Sequence, residues 1–429
     1  MWCKIFFLSR ISIAEAAYSI AGPRAKLSDE SRVPKGFISK ISDDGPRKEE
    51  EKHNVSSYGL ACGDTIQGSR GLSGTTRSTS KEWKALIKKD ARLDKKSLVI
   101  ILIDCRVYLA RLDLHDGNIV KVISQFNLND SSSKEVDIRR VFHCDGLLLC
   151  TTMDERLVVW NPCSGENSRI IKPLNSKYNS DVYALGKSSC NNEYKILRVH
   201  HSGDGFFYPC LVTYDIYEFT SNLWRVIGET REWSLPGGWR HGGTSVDGNT
   251  YWLSCDLSQD RQRPRDTLRR FDFSTERFGL VSLPGDPLSY YPFALSVTRE
   301  EQNLCLLTSC ANLLNIDVWV ASKIKGTGDM SWSKLLSVKR TRSYQFFTLC
   351  IGMCFLADWG NKVIVHPIKY KDCSKCLHIV GEDKYKKVDL HDVGSKYPLP
   401  VSCVPTLVQI QQGSLGLGTW KAPITKFHD

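Results

Sequence analysis

Cys373, Cys376 and His378 stand at the spacing with which many chains begin a zinc site, C-x-x-C followed closely by an imidazole. A closed structural zinc site takes four ligands, and no second close pair follows. His366 and His391 are the nearby donors left. The plainer reading is a surface loop after the last strands, and no metal is assigned. His200 and His201 are adjacent, and adjacent side chains of a strand project to opposite faces, so they cannot easily share one ligand. The chain has neither a Walker-type glycine-rich loop nor a G-x-S-x-G elbow. A glycan-acting propeller hydrolase would need carboxylates converging on a central pocket, whereas the Asp and Glu residues fall mainly in turn contexts. We therefore expect a chain that binds, with no catalytic residue and no cofactor.

Two segments have the composition of a binding surface. Trp239, Arg240 and His241 sit between glycine pairs, and Tyr290 and Tyr291 precede Pro292. Trp, Tyr and Arg dominate interface hot spots, so both segments are candidate substrate contacts. The alternative for each is a turn entering a sheet with its aromatic packed inward.

The elements that must hold these residues are strands. From residue 97 short β-rich runs recur, among them LVIILI, RVYLARLDL, GLLLCTT, RLVVWN, TYWLSC, LRRFDF, IDVWVAS and KVIVHPI. Turn signals such as Cys144-Asp145-Gly146, Val246-Asp247-Gly248-Asn249 and Trp359-Gly360-Asn361 separate them, and Asp-Gly between apolar runs marks a tight hairpin. An aromatic or apolar anchor in a β-run, a polar turn and an apolar restart recur at Trp160, Tyr214, Phe271 and Val318, roughly 50 residues apart, the period of a four-stranded propeller blade. A second element precedes several copies: Asp145-Gly146, Asp247-Gly248, and Asp358 to Asn361. One such sheet cannot bury its faces alone, so copies must stack. The expected fold is mainly β, a propeller-like repeat over residues 97–410, with a non-repeating pair of β-sandwiches as the alternative. Trp160, Trp224, Trp252, Trp319 and Trp332 read as core aromatics in either case.

Residues 1–70 have no apolar period and read as a disordered leader and linker, with DDGPRKEEEKHN and GDTIQGSRGLSGTT as charged and Gly/Ser/Thr-rich stretches. Lys4 and Arg10 give the first residues some targeting character, but Arg10 splits the apolar run and Glu15 opposes a mitochondrial signal. Within residues 71–95 a short helix is expected over 78–93, where Trp83, Leu86 and Ile87 share one face; residues 411–429 form a tail. The net charge of +11 is spread along the chain, which reads as a solvated basic surface without nucleic-acid binding. Most of the 16 cysteines lie in apolar runs, as reduced thiols of a cytoplasmic or nuclear protein would. No run approaches the roughly 20 apolar residues of a membrane span.

GLLLCTTMDERLVVWNPCSGENSRIIKP, YALGKSSCNNEYKILRV, YEFTSNLWRVI, SVDGNTYWLS, LRRFDFSTERFGLVSLP and SWSKLLSV resemble, in order, the F-box-associated, kelch-like domain of plant F-box proteins. The resemblance implies a β-propeller that holds a substrate protein, preceded by a helical F-box that docks on the Skp-type adaptor of an SCF-type cullin–RING ubiquitin ligase. Residues 77–86, RSTSKEWKAL, resemble the last F-box helix, which makes Trp83, Leu86 and Ile87 candidate adaptor contacts. The front of the F-box departs from the family: Val33-Pro34-Lys35-Gly36 stands where Leu-Pro and acidic residues are usual. The alternative is therefore an adaptor-free binding scaffold, or a decayed family member without ligase docking.

Overall fold

The computed structural model describes residues 98–114, 119–126, 135–162, 181–202, 211–235, 242–258, 265–299, 301–310, 315–322, 330–339, 352–367, 376–390 and 399–401, together with 128, 168, 170–172 and 408. The expected leader, the helix over 78–93 and the tail beyond 410 lie outside these residues.

The described elements are all strands. In chain order they are β1 (Leu98–Ile103), β2 (Arg106–Asp113), β3 (Ile119–Phe126), β4 (Ile138–Cys144), β5 (Leu147–Thr152), β6 (Leu157–Trp160), β7 (Val182–Lys187), β8 (Tyr194–Ser202), β9 (Leu211–Glu218), β10 (Leu223–Thr230), β11 (Trp233–Ser234) and β12 (Thr244–Val246). There follow β13 (Asn249–Asp256), β14 (Arg265–Asp272), β15 (Arg277–Val281), β16 (Tyr290–Val297), β17 (Leu304–Cys310), β18 (Asn315–Ala321), β19 (Trp332–Lys339), β20 (Leu356–Asp358), β21 (Val363–Pro367), β22 (Cys376–Gly381), β23 (Tyr385–Asp389) and β24 (Leu399–Val401).

These strands form six antiparallel sheets, the blades of a propeller. Blade 2 is β4-β5-β6, blade 3 β7 to β10, blade 4 β11 to β15, blade 5 β16 to β19 and blade 6 β20 to β23. Blade 1 has the order β24-β1-β2-β3, so its first strand comes from the far end of the domain. There Ile100 lies opposite Val401 and Leu102 opposite Leu399. Strands β24, β4, β7, β12, β16 and β20 begin their sheets and form the inner ring. Neighbouring inner strands touch directly, as in the parallel bridge from Thr298, just past β16, to Ala357 of β20.

The sequence patterns map onto this plan. Cys144-Asp145-Gly146, Val246-Asp247-Gly248 and the 358–362 turn each join an innermost strand to the second of its blade. Asp145 and Gly146 have φ of 50° and 81°, and Asp247 and Gly248 of 49° and 76°. Two successive positive φ values define the type I′ hairpin turn, whose twist matches the strands it joins. Anchors Trp160, Tyr214, Phe271 and Val318 all fall on third strands of successive blades. Residues 143–160 thus run from the innermost strand to the third strand of blade 2. The turns after Glu218 and Asp272 also correspond, with Asn222 and Glu276 in the left-handed region at φ of 57° and 55°.

Each blade buries both faces against its neighbours. The core divides into six clusters, one per junction, from Ile100, Leu109, Leu148 and Trp160 between blades 1 and 2 to Val99, Ile101, Val365 and Ile379 between blades 6 and 1. The last cluster closes the ring, and this closure distinguishes the fold from a pair of sandwiches. Apolar residues on both faces of a strand, as in the run LLLC of β5, follow from this double burial.

Candidate functional site

The alternation of strands gives the ring two ends. At one end the tight hairpins join first to second strands, β24 finishes and β1 begins; we call it the closure end. At the other, connections leave from second to third strands and from each blade to the next; we call it the loop end. Tyr290 opens innermost strand β16 at the loop end, but its hydroxyl donates to the carbonyl of Pro284 at 2.7 Å and its ring is buried. Tyr291 beside it is half-buried. Trp239, Arg240 and His241 lie in the connection between Leu235 and Gly242, outside the described residues, as do Trp83, Leu86 and Ile87.

Several described histidines and a cysteine make contacts within the fold. His200 and His201 project oppositely: the Nδ1 of His200 lies 2.6 Å from Asp181, whereas the Nε2 of His201 accepts the amide of Leu235 at 3.1 Å. In blade 6, Cys376 donates to Asp389, and burial and that carboxylate push its thiol up to about 11. His378 Nδ1 lies 2.9 Å from the Tyr385 hydroxyl, and its ring stacks on that of His366. Among the described residues no group of three or more His, Cys, Asp and Glu side chains is placed to hold a metal ion; Cys373 and His391 lie outside them. His143 accepts the Gly146 amide at 2.8 Å, and burial holds its imidazole down at about 4. A neutral ring with a free lone pair is what this hairpin requires.

The charges that sit deepest in the ring are paired. Between blades 2 and 3, Arg198 bonds Asp181 at 2.8 Å and Asp215 at 2.9 Å, with Tyr183 donating to Asp181 at 3.1 Å. At the closure end, Arg299 bonds Asp358 and reaches the carbonyl of Leu112 at 3.2 Å, tying blades 5, 6 and 1. At the loop end, Arg106 takes both Glu135 and Asp137. The two acids of the Arg198 cluster thus neutralise one guanidinium and do not form a hydrolytic pair.

The start of β4 is different. Its register with β5 shifts between Ile138 and Arg140. Such a bulge re-aims side chains: Ile138 and Val141 both pack against blade 1, and Arg139 and Arg140 fall between them. By alternation Arg140 lies on the side of Phe142, which packs towards blade 3. Arg140 is half-buried, and among the described residues it has no carboxylate partner. Burial, and then the neighbouring Arg139, bring its guanidinium down to about 10.

Residues 98–410 match the model of the F-box associated beta propeller domain family. Two F-box proteins of Arabidopsis thaliana are 47% and 46% identical to this chain, over 78% of it and 92% and 91% of their own lengths. A third is 41% identical and is covered over 94%. The chain belongs to the plant F-box proteins. The motifs that resemble the family are therefore the hairpins and third strands of an F-box associated propeller.

Two features of this propeller escaped sequence reasoning. The first is the role of Trp160-Asn161. Asn161 is buried, and its amide donates to the carbonyl of Val408 at 2.9 Å; Val408 packs into the core between blades 2 and 3. The asparagine fastens the chain beyond β24 onto blade 2, a link across 247 residues that no local pattern could announce. Among the described residues blade 2 has three strands, and beside the third the Ser168 and Ile171 amides pair with the carbonyls of Val159 and Leu157. The second is Arg140, whose signal was the doublet Arg139-Arg140 inside an otherwise apolar strand.

Proposed function

We propose that this F-box protein is the substrate-recognition subunit of an SCF-type cullin–RING ubiquitin ligase, its propeller gripping a target protein while the F-box region engages the Skp-type adaptor. The observation that carries this reading is family membership through a propeller domain spanning residues 98–410. A ring of blades fixed to one another through apolar junctions offers a rigid surface, which lowers the entropic cost of holding a partner. The reading assigns no reaction to this chain; the ligase's other subunits supply the chemistry. Trp83, Leu86 and Ile87 are the proposed adaptor contacts, and Trp239, Arg240, His241, Tyr290 and Tyr291 the proposed substrate contacts. With its hydroxyl held by Pro284, Tyr290 would contribute only its ring edge.

Co-expression with a Skp-type adaptor tests the docking half. The two should co-purify, and Trp83→Ala together with Leu86→Ala should abolish the association. The substitution of Lys35 and Gly36 into the front of the F-box pattern favours a second reading, a propeller that binds its partner without the adaptor. It predicts no co-purification until an acidic front is restored.

A further inference from the structure

We infer that Arg140 receives an anionic oxygen group of a bound polypeptide, so that the loop end of the ring recognises an acidic segment. The inference deepens the reading of the propeller as the target-binding part, and rests on it. Leaving an arginine half-buried beside a second arginine costs free energy through lost hydration and through repulsion. This chain relieves that cost at Arg198 with two aspartates, at Arg299 with Asp358 and at Arg106 with Glu135 and Asp137. The last two acids precede β4 closely, yet Arg106 holds both. The bulge at Ile138–Arg140 sets the residue on an innermost strand near the mouth of the ring. Arg140 pairs in register with Thr151, and exposed Met153 follows at the end of the same blade, its amide bonded to the Asp137 carbonyl at 2.9 Å. A cation with no carboxylate partner among the described residues, on a blade whose same end exposes Met153, suits an acidic residue followed by an apolar one. Guanidinium forms paired, charge-assisted bonds with carboxylate and with phosphate alike.

The test uses the full chain and fluorescein-labelled peptides of matched length: oligo-glutamate, oligo-glutamine, and a phosphoserine peptide. Wild type should bind the glutamate or the phosphoserine peptide, which distinguishes carboxylate from phosphate as the preferred source, and should not bind the glutamine peptide. Arg140→Gln should weaken that binding about tenfold or more, the scale of a lost charge-assisted hydrogen bond. Lys384→Gln, the same charge change at a closure-end turn, should leave it unaltered. Arg140→Gln should melt no lower than wild type, because it loses no carboxylate partner among the described residues. Equal loss in the two variants, indifference of wild type to peptide charge, or unfolding of Arg140→Gln overturns the inference. Adaptor co-purification is scored on the same preparations. Adaptor capture without Arg140-dependent peptide binding sinks only the arginine's role, and peptide binding without adaptor capture sinks only the ligase reading.

Discussion

Acid should weaken the ring through blade 6. His366 and His378 lie directly opposite each other on β21 and β22, exposed by 0% and 1%, with ring centroids 5.8 Å apart. Burial holds both imidazoles neutral, His366 down at about 3 and His378 at about 4. The unfolded chain returns each to about 6.5. Above that value neither state binds the proton and the pair adds no pH dependence. As pH falls below it, the unfolded chain takes up protons that the folded ring refuses, so stability declines down to the folded values. Each pH unit costs about 1.4 kcal/mol per histidine, so at about pH 5 each has withdrawn roughly 2 kcal/mol and the two together roughly 4. That is a large share of the 5–15 kcal/mol typical of a folded domain. Urea melts at pH 7.5 and 5.0 of wild type, His366→Gln and His378→Gln measure it. Each glutamine should cost stability at the higher pH, yet reduce the loss on acidification by about 2 kcal/mol. Carboxylates contribute alike to all three proteins and cancel in the comparison. If all three lost the same stability between the two pH values, the imidazoles would not be held neutral and the reasoning would fail.

Gly186→Ala places a Cβ 2.0 Å from the Phe273 ring and should cost about 3 kcal/mol or more, at the upper end of overpacking; thermal melts should show Phe273→Leu returning part of the loss. Arg198→Met leaves Asp181 and Asp215 buried without their cation and should cost about 3–5 kcal/mol, whereas adding Asp181→Asn and Asp215→Asn should recover much of it in the same melts. Asn161→Ala should cost about 1–3 kcal/mol by leaving the Val408 carbonyl without its donor, and limited proteolysis should cut beyond residue 401 sooner than in wild type.

The fold was legible because its repeating parts are local. Asp-Gly turns and the strand runs beside them are short patterns whose backbone needs are met by the residues themselves, and a repeat multiplies the signal. The turn at Asp104 and Cys105 has the same two positive φ values, 46° and 64°, without a glycine, and its sequence gives no such signal. Ring closure was equally hidden: Leu399 to Val401 are three residues, too few to show a period, and their partner lies at the other end of the domain. The candidate site was less legible still. The sequence separates Tyr290 from Tyr291 by nothing, while the structure holds the hydroxyl of Tyr290 with a carbonyl six positions away. Composition identifies residues that can bind, but only packing shows which of their polar groups are already engaged.

The same distinction separates the two ends of the ring. At the closure end Arg299 is satisfied within the chain: it meets Asp358, and the Asp358 carboxylate also accepts the Asn361 amide at 2.8 Å. Strand β1 begins and β24 finishes at that end, and Asn161 and Arg299 fasten it across blades 1, 2, 5 and 6. A charge that is already paired gains little by meeting a partner's charge, since each new bond must first break an old one. At the loop end Arg140 has, among the described residues, no such bond to break. A carboxylate arriving there relieves a cost that folding has already incurred, so the binding free energy is not spent on separating an existing pair. On the proposed reading, the loop end is the face that grips.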